Sequence, residues 1–400
     1  MSAVRARELD LAYVRAHFPA LSDEWALMDN AGGSPPLFGV VEAVQDYMRY
    51  RQVNLGASYA LSADATARVA AGAAAMAELV GCDPDEVVLG PSSTMLLRLL
   101  ASAMAFAAGD EVVVTNLDHE SNIAPWRELT EKGVVIREWR FDAQTGDLTL
   151  EALERELTPR TKLVCFPHVS NLFGTVHDAA AFVRRIHEAG ALACVDGVAF
   201  APHRRVDVRA IGADFYCLSL YKLSGPHEGL LYARRDRLRA TKSLAFAFLG
   251  DDLGPYRLQP GNVNHELTAA LPALLEYYAR LGEHHGGDAF EVIARHEALV
   301  AQPILDFLAG RKGVRLLGRA RMGADRVPTI SFTVEGRSSE DIVRALDAHK
   351  IGTRFGNFYS YRTVEALGLD PEDGVVRVSL FHANTPAEVT RLLEALDRTI

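Results

Sequence analysis

DFYCLSLYKLSGPHEGLLYARR, running from Asp214 to Arg235, holds two apolar runs with a polar turn between them. FYCLS and GLLYA read as strands, and the Ser-Gly-Pro between them reads as a turn. Lys222 stands where the first run meets that turn. A lysine side chain is ordinarily solvated, so its place among Leu220, Leu223 and two strands has to be explained by the rest of the chain.

Upstream, from about 110, the same kind of run recurs: DEVVVTN, VVIREWRF, KLVCFPHVS and ALACVDG, separated by helix-like pieces such as DAAAFVRRIHEAG. Strand–helix alternation of this kind predicts an α/β domain on a mostly parallel sheet, in which ligand groups gather at the carboxyl ends of the strands. Downstream, 264 to 309 turns helical. TISFTVEG, SSEDIVRALDAHK, VVRVSLF and TPAEVTRLLEALDRT then predict a smaller α+β unit. The expected organisation is an N-terminal segment over 1–22, a large domain over 23–265, connecting helices over 266–309 and a small domain over 310–400.

The bulk numbers narrow the field. Of 400 residues, 49% are hydrophobic and 24% charged, the balance of an ordinary globular chain. A net charge of −10 with no basic stripe argues against a nucleic-acid partner. The N-terminus is charged throughout, and the most apolar stretch, MLLRLLASAMAFAAG, is broken by Arg98, so neither a signal peptide nor a membrane span is expected. The cysteines, Cys82, Cys165, Cys194 and Cys217, occur singly without metal-site spacing. Reduced core thiols at Cys165, Cys194 and Cys217, which fall in apolar strand-like runs, no metal site and a cytoplasmic location are the expectations.

Several strands close on polar residues. ACVDG ends on Asp196, HVSNLFGT carries Asn171, VVVTNLDHESN carries His119, and VVLGPSSTMLLRLLA passes through Gly90 and Pro91 into a helix with Ser93 and Thr94 at its mouth. Singly, each has a plain alternative: helix caps for Ser93 and Thr94, turn formers for Asn171 and Asp196, a loop histidine for His119. Together they place a phosphate cradle, an acid, an aromatic ring, an amide and a lysine at one sheet edge. A pyridine ring bearing an aldehyde and a phosphate needs that set. The amine condenses with the aldehyde, the acid keeps the ring nitrogen protonated, and the aromatic side chain stacks on the ring. Partial desolvation would make the lysine a useful nucleophile, so Lys222 is read as holding pyridoxal phosphate as a Schiff base.

At these residues the chain resembles the class V aminotransferase family, in its cysteine desulfurase-like group, from LMDNAGGSPP to VRVSLFHANTPAEVTRLLEAL. VDG and the later lysine, with DFYCLS between them, are the most specific part. The resemblance implies fold type I: a large α/β domain with a mostly parallel seven-stranded sheet, flanked by helices, plus a smaller α+β C-terminal domain. It implies pyridoxal 5′-phosphate as cofactor, bound by Lys222, with Asp196 at the ring nitrogen, His119 on the ring face and Asn171 toward the 3-oxygen. Ser93, Thr94 and Ser219 would hold the phosphate, Asn264 and His265 would approach it from the second subunit of a homodimer, and Arg377 would bind the substrate carboxylate. Arg354 and Tyr359 are further substrate-binding candidates.

Three departures separate this chain from the group's pattern. Ala199 stands where a contact to the 3-oxygen is usual, Tyr221 precedes the lysine, and the loop that carries the sulfur-accepting cysteine there reads TRFGNFYSYR here, with Tyr359 near that place. Persulfide transfer needs a thiolate, so a desulfurase acting by that route is not expected. The expected activity is β-elimination on a small cysteine-type amino acid, with transamination or epimerisation as alternatives. A nicotinamide dehydrogenase would need a GxGxxG turn that the first strand–helix junction lacks. A binding module without chemistry would have no use for the Lys222, Asp196 and Arg377 set.

Overall fold

A computed structural model of the chain describes residues 8–250 and 253–400, so residues 1–7 of the expected N-terminal segment lie outside the described residues. The large sheet has strands β1 (Val87–Gly90), β2 (Glu111–Thr115), β3 (Val135–Trp139), β4 (Thr161–Pro167), β5 (Leu192–Asp196), β6 (Phe215–Ser219) and β7 (Gly229–Ala233), in the spatial order β1-β7-β6-β5-β4-β2-β3. Only β7 runs against its neighbours. The other strand pairs are parallel, so their carboxyl ends share one edge. The chain thus has the expected architecture of a mostly parallel seven-stranded sheet with flanking helices and a smaller antiparallel sheet.

Near-continuous apolar runs suit strands covered on both faces. Val113, Val164, Phe166 and Val195 join one core, and Val112, Val114, Cys165, Cys194 and Cys217 join the other. The helix Ser93–Ala103 presents Leu96, Leu97 and Leu100 at helical spacing to that second core. Each such buried leucine contributes about 1.5–3 kcal/mol relative to exposure.

The small sheet is antiparallel, with β8 (Val314–Leu316), β9 (Thr329–Val334), β10 (Arg354–Gly356) and β11 (Val375–Ser379) in the order β10-β11-β9-β8. The helix Ala289–Ala309 joins the lobes: Phe290 and Ile293 pack in the large core, Ile304, Leu305 and Leu308 in the small one. Ala26–Leu27 pairs with Ile351–Gly352, and Ala26 and Met28 are buried in the small lobe's core. That strap carries Asp29 toward β11. No helix among the described residues is long and apolar enough to cross a membrane.

Candidate active site

Parallel strands deliver their following residues to one edge, and a single cavity there is lined by Ser93, Thr94, His119, Asn171, Asp196, Ser219 and Lys222, together with Asp118, Ser121, Ala199 and Tyr221. The cradle is built from chain direction. Ser92 is the helix cap, its side chain accepting from the Met95 N–H at 3.1 Å. Ser93 and Thr94 therefore sit inside the first turn, where backbone N–H groups lack helical partners. The Ser93 and Ser219 hydroxyls lie 2.8 Å apart. The antiparallel strand β7 passes so close that a Cβ at Gly229 would sit 2.4 Å from the Ser93 nitrogen. Only glycine leaves the first helical turn where it is.

Lys222 lies in a short 3-10 turn, Leu220–Leu223, that follows β6. Ser224 then enters the left-handed region at φ 67° and turns the chain toward β7. Burial, reinforced by the Arg377 charge, pulls the Lys222 amine down to about 8, against the opposing pull of Asp196. The Asp196 carboxylate accepts from the Val198 N–H at 2.9 Å, and burial raises its affinity for a proton. Asp118 is a second buried carboxyl in the same cavity. Burial, and after it the Asp196 charge, holds it well above the usual carboxylate range, while it accepts from Asn122 Nδ2 at 2.7 Å and from the His119 N–H at 2.8 Å.

The His119 ring is fixed by Ser121. Nδ1 accepts from the Ser121 N–H at 3.0 Å and lies 2.8 Å from its hydroxyl, so the neutral ring's proton belongs on Nε2. Burial, then the charges of Lys222 and Arg377, push this imidazole down to about 3. A neutral, oriented ring is what stacking against a cofactor face requires.

Arg377 is buried on β11, beside Arg354 across the ladder. Its guanidinium lies 3.7 Å from the centre of the Phe358 ring and donates to the Asn171 backbone oxygen at 3.3 Å and to Asp29 Oδ1 at 3.4 Å. The other oxygen of Asp29 meets the half-exposed Arg354 at 2.8 Å. Among the described residues Arg377 Nε has no hydrogen-bond partner, so the guanidinium keeps an unused donor in a buried place, where an unmade bond is costly. The Asn171 amide is spent on the neighbouring loop: Nδ2 donates to the Phe358 oxygen at 3.1 Å, and Oδ1 accepts from the Ser360 hydroxyl at 2.7 Å. Tyr359 is exposed, with its ring centre 5.3 Å from that of His119.

Asn264 and His265 are not brought to this cavity. The Asn264 side chain accepts from the Leu267 N–H at 3.1 Å, capping its own short helix, and it lines a separate groove beside Glu228. Sequence reasoning missed Asp118, Ser121 and Asp29. Asp118 and Ser121 flank His119 in LDHESN, and that adjacency was the available signal; Asp29 gave none, because the strap that delivers it is a tertiary feature.

The donor set fits pyridoxal phosphate. The cradle would take the phosphate, Asp196 would face a ring nitrogen, and the lysine of lowered proton affinity would meet an aldehyde. Comparison with known proteins agrees with the geometry. The family described as "Aminotransferase class-V" matches residues 26–392. The chain is similar to the aminotransferase-like protein FGM3 of Gibberella zeae, 39% identical over 97% of this chain and 98% of that protein. It is similar to the cysteine desulfurase-like protein ustD of Aspergillus flavus, 32% identical over 98% and 91%. Among solved structures it resembles the cysteine desulfurase CsdA of Escherichia coli, with a TM-score of 0.85 and 27% identity over 98% of this chain and 99% of that one.

Proposed function

Because the chain belongs to the class V aminotransferase family and is a pyridoxal phosphate-dependent enzyme, we propose that it removes a β-substituent from a small cysteine-type amino acid. When bound, the cofactor supplies an electron sink for the negative charge that develops at the substrate Cα. The chain's own residues do the rest. Ser93, Thr94 and Ser219 hold the phosphate, Asp196 keeps a proton on the ring nitrogen, and His119 lies against the ring face. Arg377 binds the substrate carboxylate in the bidentate manner that a guanidinium allows. Lys222 Nζ would anchor the cofactor until the substrate amine takes its place, and the freed amine would then receive the Cα proton.

The observation that carries the elimination reading is the placement of thiols. Cys165, Cys194 and Cys217 are fully buried in the large sheet, and burial pushes Cys82 up to about 12. None lines the cavity, and the side chain that stands beside its His119 is Tyr359. A persulfide relay needs an accessible thiolate, whereas elimination needs none. A homodimer belongs to the same reading. Phe38, Val41 and Met48 lie exposed along the helix Phe38–Tyr50, and Asn264 and His265, away from their own chain's cavity, are assigned to the cavity of a second copy.

The test is product analysis with S-alkylcysteines. Elimination yields equimolar thiol, pyruvate and ammonia. A keto acid that retains the sulfur would assign transamination instead, and loss of optical activity without either product would assign epimerisation.

A further inference from the structure

The segment 357–362 is fastened beside the cavity through its backbone and flanking side chains. Phe358 and Tyr359 both lie in the left-handed region, at φ 54° and 58°, a conformation that costs a non-glycine residue on the order of 1 kcal/mol or more and persists only where its surroundings enforce it. Here they do. The Asn171 amide bonds the Phe358 oxygen and the Ser360 hydroxyl. The Glu120 N–H donates to the Tyr359 oxygen at 2.8 Å, and the Tyr359 N–H to Asn357 Oδ1 at 3.0 Å. Arg362 pairs with Glu120 at 2.9 Å, and Phe358 rests on Arg377. These contacts hold the backbone that carries Tyr359, whose side chain is 72% exposed and whose ring stands beside His119.

Resting on the elimination reading, we propose that the Tyr359 phenol is the acid that protonates the departing sulfur. With the substrate carboxylate on Arg377 and its amine toward Lys222, this reading sends the β-substituent outward past His119, whose ring centre lies 5.3 Å from that of Tyr359. The Cα proton goes to Lys222 Nζ. The Cβ–S bond breaks with its electron pair on sulfur, Tyr359 Oη gives that sulfur its proton, and solvent restores the phenol. The remaining 2-aminoacrylate takes up water to give pyruvate and ammonia, so the atoms balance without a further reactant.

The experiment compares leaving groups in the holoenzyme. Tyr359→Phe keeps the ring and removes the proton. With S-ethylcysteine its kcat should fall about a hundredfold, the low end of what a positioned acid supplies, with KM changed less than about threefold. With β-chloroalanine, whose chloride leaves without a proton, initial rates should stay within about twofold of wild type. Fluorescence titration of the apo-protein should give equal pyridoxal phosphate affinities for both proteins, showing the loop and cavity unaltered. Equal losses on both substrates, no loss on the thioether, or weakened cofactor binding would overturn the assignment. If the wild type eliminates neither substrate yet exchanges the Cα proton with deuterated water, the elimination reading fails and this role with it, while the Lys222 and Arg377 assignments stand.

Discussion

Lys222 carries the first prediction, because its environment sets the pH at which it can react. Its amine is pulled down to about 8 by burial and the Arg377 charge, so it is protonated and unreactive below that pH and free above it. Condensation of pyridoxal phosphate with the apo-protein should therefore accelerate as pH rises through about 8, measured by visible absorption; a rise centred near the ordinary lysine value would contradict the assigned burial. Borohydride should fix the cofactor to Lys222, and Asp196→Asn should lower turnover by about 10³-fold, because an amide cannot hold the ring-nitrogen proton. Arg377→Lys should raise KM about 10–100-fold with little change in kcat, the cost of replacing a charged two-pronged contact with a point charge; unchanged KM values would assign Arg377 to the scaffold. Lys222 and Asp196 were singled out by their places at strand ends, and Arg377 by the family resemblance. Asp118 was not, since an aspartate beside a loop histidine reads as a surface group until burial in the cavity gives it another character.

Among the elements, the contact between strand β7 and the helix Ser93–Ala103 decides whether the cradle exists. Gly229→Ala would drive a methyl group against the backbone of Ser92 and Ser93, and such overpacking costs about 1–3 kcal/mol. The variant should lose pyridoxal phosphate affinity about tenfold or more while remaining folded, measured by titration beside a thermal melt; unchanged affinity would place the phosphate elsewhere. Strand and helix patterns were readable here, because apolar runs of strand length and the Leu96, Leu97, Leu100 spacing report directly on burial. The cap was not, since three successive hydroxyl residues, Ser92 to Thr94, could each have ended the helix, and only the backbone geometry assigns Ser92. That assignment is what leaves Ser93 and Thr94 in the first turn, lining the cavity.

For the molecule as a whole, the distribution of thiols and of exposed apolar surface carries the remaining predictions. Replacing all four cysteines by serine or alanine should lower the melting temperature, as changes in a packed core do, yet leave kcat per bound cofactor unchanged. A persulfide on any of them, with activity lost when that residue is changed, would restore a desulfurase mechanism. The homodimer should be visible by sedimentation, and Asn264→Ala should weaken cofactor binding although Asn264 lies outside its own chain's cavity. An active monomer at high dilution would reject both.

The amino-acid order by itself determined the alternation of strands and helices, the lysine at a strand end, and the polar residues that close neighbouring strands. These are local properties, fixed by side-chain periodicity and turn chemistry. Only the tertiary structure decided what crosses between lobes. Asp29 reaches Arg377 and Arg354 because Ala26–Leu27 pairs with Ile351–Gly352. Asn171 turns to the loop at 358–360 because that loop lies over β4's end, and Tyr359 comes beside His119 for the same reason. Such contacts join residues more than a hundred positions apart, and no local pattern encodes a partner at that separation; it is set by the packing of the two cores.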